Sequence, residues 1–95
     1  MPAVITAFLL VLCEPARLAA VGPGLADIEG VAEVYSTTGG RDFIAVVRVA
    51  DLEALATLVT EHVAALPGIQ RTDTHLAIRS YGRADEAAAF DIGVD

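Results

Sequence analysis

Residues 31–50 read VAEVYSTTGGRDFIAVVRVA, and their pattern decides the fold. Ala32, Val34 and Ser36 alternate with Glu33, Tyr35 and Thr37. After an interruption, Phe43, Ala45, Val47 and Val49 share one face of a second run. A period of two marks a β-strand, because successive side chains leave opposite faces. The interruption is Thr38-Gly39-Gly40-Arg41-Asp42. Its two glycines tolerate positive φ, so the runs are expected to fold back as a hairpin. They also leave backbone N–H groups open, which makes this turn the expected point of contact with a ligand or a neighbouring chain.

Working outward toward the N-terminus, Ala3 to Cys13 is apolar apart from Thr6. Ile5, Ala7, Leu9 and Val11 point one way, and Val4, Phe8, Leu10 and Leu12 the other. A strand apolar on both faces is expected to be central and covered on both sides. Pro15 suits the first turn of a helix. Leu18, Val21, Leu25 and Ile28 then recur at helical spacing. Gly22-Pro23-Gly24 interrupts that stripe and predicts a kink or break, since proline removes a backbone donor. Gly30 suits the helix end.

Toward the C-terminus, Asp51 is a good N-cap, with Glu53 favourable beside it. A helix is expected from about Leu52 to Leu66, burying Leu52, Leu55, Val59, His62/Val63 and Leu66, and stopped by Pro67-Gly68. A last strand, Ile69 to Ser80, is more polar. Arg71, Asp73 and His75 share one face, and Thr72, Thr74, Leu76 and Ile78 the other, a mixture that suits a sheet edge. Residues 81–95 form a C-terminal tail. A short helix is expected around Ala84 to Phe90, and Phe90, Ile92 and Val94 are expected to dock on the same or a partner subunit.

The order is βαββαβ, the ferredoxin-like α+β pattern of the dimeric α/β barrel type. Its sheet is antiparallel with order 4-1-3-2, and both helices lie on one face. The other face then needs a cover. Burying each large aliphatic side chain contributes roughly 1.5–3 kcal/mol, so five or six per protomer give on the order of 10 kcal/mol. Lost rigid-body freedom costs about 4–15 kcal/mol per complex. A two-fold homodimer with sheets packed face to face is expected, the alternative being a monomer in which the tail covers that face.

Composition narrows the function. The 95 residues suit a single domain, and 55% are hydrophobic, a high share for so small a core. No apolar run reaches the ~18–20 residues of a membrane span. Neither a secretory signal nor a second cysteine to pair with Cys13 is evident, so a cytoplasmic setting is expected. The formal net charge is −7, and the six basic residues, all arginine, are scattered. That balance argues against direct nucleic-acid binding. The all-arginine, alanine-rich usage suggests a bacterial coding bias. His62 and His75 sit on different elements with no third ligand in register, so no metal site is expected. Ser36, His75 and Asp42 make a catalytic set only on paper, without a nucleophile elbow. No phosphate or dinucleotide loop is present. Neither catalytic residues nor a cofactor are expected.

Taken together, Gly30-Val31, Tyr35, Thr38-Gly39, Asp42, the run Phe43 to Val49, Leu66-Pro67-Gly68-Ile69 and Thr72-x-Thr74 resemble the effector-binding (RAM) domain of the Lrp/AsnC transcription regulators. The likeness covers about residues 3–80 of a domain expected to span 1–80, with an acidic tail of similar character. The chain enters strand one directly after Met1-Pro2, so the resemblance is to stand-alone members that lack the helix-turn-helix. It implies a dimer that can assemble further, often as a ring of four dimers, with a small amino-acid effector bound between dimers near the glycine turn. Carried over by position, Thr38, Gly39 and Asp42 fall on the family's turn motif, and Thr72 and Thr74 on its last strand. Backbone N–H groups around Gly39-Gly40 suit a carboxylate, and Asp42 suits an ammonium. The family commonly has an acidic residue in place of Gly40 and an aromatic in place of Arg41. Arg41 can hold a ligand carboxylate or pair with an acidic residue across a dimer contact.

Plainer readings stand beside these. Two glycines suit a hairpin without any ligand, and Asp42 can simply cap the turn. Two functions follow. One is a non-enzymatic amino-acid sensor and oligomerisation module, acting by co-assembly with full-length Lrp/AsnC-type regulators. The other is a small dimeric α/β-barrel enzyme of monooxygenase or isomerase type, since fold alone does not fix function. Phe8, Leu10 and Val46, the interior candidates, are unreactive, which favours the first.

Overall fold

The computed structural model describes residues 4–83. Strand β1 spans Ile5–Cys13, and a 3₁₀ turn, Pro15–Arg17, leads into helix α1, Leu18–Ala26. Strands β2, Val31–Ser36, and β3, Phe43–Val49, form the hairpin. Helix α2, Leu52–Thr57, continues as a wider turn over Leu58–Val63, and β4 is Ile69–Leu76. The four strands pair antiparallel in the order β2-β3-β1-β4. This is the expected 4-1-3-2 sheet read from the other edge. The short helix expected around Ala84 to Phe90 lies outside the described residues.

Both helices cover one sheet face. Val21, Leu25, Leu55, Leu58 and Val63 pack onto Ala7, Leu9, Val11 and Cys13 of β1 and Phe43, Ala45 and Val47 of β3. These residues alternate along their strands, so period-two patterning alone builds the sheet half of the core. On β2, Val31 and Val34 both pack inward although they lie three apart. A register shift between Val31 and Glu33 inserts one extra residue and resets the alternation.

The helices depart from expectation in instructive ways. Helix α1 runs unbroken through Pro23. Val21 and Leu25 are buried on either side of the proline and hold both halves against the sheet. The helix then stops one turn later, at Ala26, short of Gly30. In the second helix, Leu52 is 58% exposed and His62 is exposed, while Leu58 is buried. Leu58 and Val63 lie five apart, and the wide turn, with Ala64 N–H donating to the Val59 carbonyl at 3.3 Å, brings both to the core. Asp51 caps this helix as expected, accepting from Ala54 N–H at 2.8 Å. Strand β4 ends at Leu76, and Ile78 is 91% exposed, so the strand stops short of the expected Ser80.

The opposite sheet face carries Thr6, Phe8, Leu10 and Leu12 of β1, Ile44, Val46 and Arg48 of β3, Glu33 and Tyr35 of β2, and Arg71, Asp73 and His75 of β4. Directly paired residues share a face, and the observed register pairs Phe8 with Val46 and His75, and Leu10 with Ile44 and Asp73. Neither α1 nor α2 crosses this side.

Candidate functional site

The β2–β3 turn is fixed by the residues at its end. Asp42 makes three ties. Its N–H donates to the Val11 carbonyl at 2.8 Å, its carbonyl accepts from Thr37 N–H at 3.0 Å, and its Oδ2 accepts from Cys13 N–H at 2.9 Å. Where β1 outruns β3, the Asp42 carboxylate thus replaces a missing ladder acceptor. The Thr37 hydroxyl closes the loop by donating to the Arg41 carbonyl at 3.0 Å. Asp42 is therefore a structural cap of the sheet end, and its carboxylate is engaged through Oδ2.

Cys13 lies next to this cap. Burial pushes its thiol above the usual value of 9.0, and the negative charge of Asp42 adds to the effect. The thiol stays protonated and packs as a small apolar group.

Arg41 turns the other way. Its Nε donates to Asp73 Oδ2 at 3.1 Å, its Nη2 donates to the same oxygen, and its Nη1 reaches the Gly40 carbonyl at 3.0 Å. Arg71 stands on the other side of Asp73, Nε to Oδ1 at 3.6 Å. The Arg41 hydrogen bonds hold the Asp73 carboxyl below its ordinary 3.8, against the opposing effect of burial, with the charges of Arg41, Arg71 and His75 helping. The turn is so tethered to β4, across the end of β1. Of the two pairings open to Arg41 at the sequence level, the acidic partner lies in its own chain.

Between these anchors Thr38, Gly39 and Gly40 are exposed. Gly39 has φ +103°, a conformation L-residues rarely adopt, and a Cβ there meets nothing within 4 Å. Among the described residues no backbone carbonyl takes the N–H of Thr38, Gly39 or Gly40. The turn thus presents unpaired donors on a clamped frame.

The seven candidate residues do not all converge. Thr38, Gly39, Gly40, Arg41 and Asp42 form one loop. Thr72 and Thr74 pair with Val11 and Leu9 and so face the helix side of the sheet. Asp73 between them faces the open side, with Arg41. Sequence reasoning places Asp73 only as one of an edge-strand trio. Its partner lies 32 residues away, and only the strand order, with β1 between β3 and β4, brings the two together.

A second concave feature lies at the other end of β3. It is an open groove of about 730 Å³ lined by Glu29, Arg48, Asp51, Glu53 and His62 among others. Its charges are mixed. Among the described residues no group of three or more His, Cys, Asp or Glu is placed to hold a metal ion, and no helix is long and apolar enough to cross a membrane.

Comparison with known proteins gives a consistent picture. The family model described as the Lrp/AsnC ligand binding domain matches residues 6–86. The HTH-type transcriptional regulator FL11 of Pyrococcus abyssi is 28% identical over 80 residues, which are 84% of this chain and 52% of that protein. The chain therefore spans about half the length of the curated relatives it matches. The crystal structure of TTHA0845 from Thermus thermophilus superposes with a TM-score of 0.80 at 46% identity, covering 83% of this chain and 99% of that one. The transcriptional regulator NMB0573 of Neisseria meningitidis, solved as an L-Met complex, shares the fold with a TM-score of 0.73 at 18% identity, over 82% of this chain and 52% of that one.

Proposed function

The chain belongs to the Lrp/AsnC ligand-binding domain family, and from that premise we propose that it is a non-enzymatic regulatory module that binds a small amino-acid effector and works as an oligomer. The observation that supports this reading is the turn Thr38–Asp42. Among the described residues its outer N–H groups have no backbone partner, while Asp42 and Arg41 fasten its C-terminal end to the sheet and Thr37 ties the other end back to them. Such a turn offers a carboxylate preorganised backbone donors at little ordering cost. The L-Met complex of the Neisseria regulator, a protein of the same fold, agrees with an amino-acid ligand.

Asp42 and Arg41 support the frame of the site, and the ligand's carboxylate is met by the Thr38 to Gly40 amides. The ammonium is met by an acceptor that neighbouring subunits complete. Thr72 and Thr74, on the far side of β4, take part where another dimer packs against that side. The protein forms two-fold homodimers through its open sheet face, and these associate further, up to a tetramer of dimers. The same surfaces allow co-assembly with full-length regulators of the family, which carry the DNA-reading part. The acidic net charge of −7 fits a module that leaves DNA contact to its partner.

Calorimetric titration against the twenty amino acids tests the sensing half. Saturable heat for at least one, lost in a Gly39→Val, Gly40→Val double variant, is expected. Absence of heat for all twenty contradicts it. Co-purification with a full-length regulator of the family tests the other half.

A further inference from the structure

The hairpin turn and the first half of β4 hold more hydrogen-bond donors than they use. The Arg41 guanidinium carries five N–H groups. One on Nε and one on Nη2 go to Asp73 Oδ2, and one on Nη1 goes to the Gly40 carbonyl. One N–H on each Nη nitrogen is left over. Arg71 is further from saturation. Its Nε stands 3.6 Å from Asp73 Oδ1, an ion pair without a hydrogen bond, and its side chain is 65% exposed. Among the described residues its guanidinium donates no hydrogen bond. Two guanidiniums thus flank one carboxylate.

These groups adjoin the amides of the turn. The carbonyl that Arg41 Nη1 reaches belongs to Gly40, whose own N–H is one of the donors without a backbone partner. The line from the turn across Arg41 to Arg71 therefore offers a ligand two anion landings, backbone N–H groups at one end and guanidinium N–H groups at the other. Charge agrees. Arg41 and Arg71 outnumber Asp73, so one positive charge is left in excess there, in a chain whose formal net charge is −7. The other carboxylate of the turn, Asp42, is directed to Cys13 N–H. A local positive excess on so acidic a protein draws small anions to that point. Asp73 holds Arg41 in place, which lowers the cost of ordering it for a ligand. Guanidinium N–H groups also give a carboxylate directed, charge-assisted hydrogen bonds, which a neutral side chain cannot match.

We infer that the effector is an amino acid with a carboxylate side chain, of the aspartate or glutamate type, whose α-carboxylate is met by the Thr38 to Gly40 amides and whose side-chain carboxylate is met by Arg71 and the spare N–H groups of Arg41. The inference rests on the amino-acid reading above and adds the class of side chain that the site selects. Arg71 is the specificity-determining residue. Arg41, tied to Asp73 and to the Gly40 carbonyl, sets the spacing between the two landings.

Calorimetric titration of the full chain with L-aspartate, L-glutamate, L-asparagine and L-glutamine tests this, because each acid differs from its amide in charge and little in shape. At low ionic strength the better acid is expected to bind about tenfold or more tightly than its amide, and the ratio should fall as salt is added. Arg71→Gln should remove most of that preference, leave the affinity for the amide unchanged and leave the circular dichroism spectrum unchanged. Arg71→Lys, which keeps the charge without the planar fork, should retain part of it. Amides bound as tightly as the acids overturn the inference and leave the amino-acid reading standing. So does a preference that survives Arg71→Gln. Succinate bound as tightly as L-aspartate supports the two landings and overturns the amino-acid reading beneath them. Absence of heat for all four amino acids and succinate overturns the inference, while heat for some other amino acid in the same wild-type chain keeps the broader reading.

Discussion

The two faces of the sheet are made from alternate residues of the same strands, yet they have different fates. On one, Ala7, Leu9 and Val11 of β1 meet Phe43, Ala45 and Val47 of β3 beneath two helices, and all are buried. On the other, Phe8, Leu10, Leu12 and Ile44 are of the same chemical kind, but Phe8 remains 40% exposed in the single chain. The difference is topological. Crossovers of one hand put both helices on the same side, so a like supply of apolar side chains is roofed by helices on one face only; on the other, Val46 alone among the described residues is buried, beside a half-exposed Phe8. An apolar strand residue therefore need not report burial within one chain.

Core substitutions sharpen the contrast most. Leu9→Ala removes a fully buried side chain and should cost about 2–5 kcal/mol in urea unfolding. Leu10→Ala, one residue along on the open face, should cost clearly less in intrinsic fold stability but weaken self-association. Equal losses for the two under conditions that keep the chain monomeric would erase the distinction between the faces.

Next in size are the supports of the hairpin turn. Asp42→Ala leaves Cys13 N–H without its acceptor and should destabilise by about 1–3 kcal/mol. Gly39→Ala meets no steric obstacle, so its cost comes from the positive φ alone, about 1–2 kcal/mol. If Gly39→Ala proves neutral in thermal unfolding, the turn is not held in this conformation.

The smallest effect belongs to the Arg41–Asp73 tether on the partly exposed side. The folded state lowers the Asp73 pKa below 3.8, so the tether stabilises above about pH 4 and its contribution falls away as the pH drops below that. The urea midpoints of the wild type and Asp73→Asn should differ at pH 6, and the gap should shrink as the pH falls below about 4. A gap that widens on acidification would contradict the sign.

Much of this is legible in the chain itself. Period-two patterning yields β1 and the hairpin, and helical spacing yields α1 and α2. The strand order follows from the βαββαβ sequence, and the apolar second face of β1 foretells an uncovered surface. What local spacing misses depends on register. The extra residue that turns both Val31 and Val34 inward leaves no local trace, because each is compatible with either face. The five-residue interval from Leu58 to Val63 fits neither helical template, so spacing points to Leu52 and His62 in place of Leu58. The Arg41–Asp73 pair spans 32 residues and exists only because β1 inserts between β3 and β4. In the candidate site, the loop Thr38–Asp42 can be read from composition. That Thr72 and Thr74 leave the other side of β4 requires the pairing of Thr72 with Val11.

The central claim is that the face left bare by the helices is where this protein associates. Sedimentation equilibrium of the wild type and Leu10→Arg at micromolar concentration tests it most directly. The account predicts a dimer for the wild type and a folded monomer for the variant. A wild-type monomer, or a Leu10→Arg dimer as tight as the wild type, contradicts it.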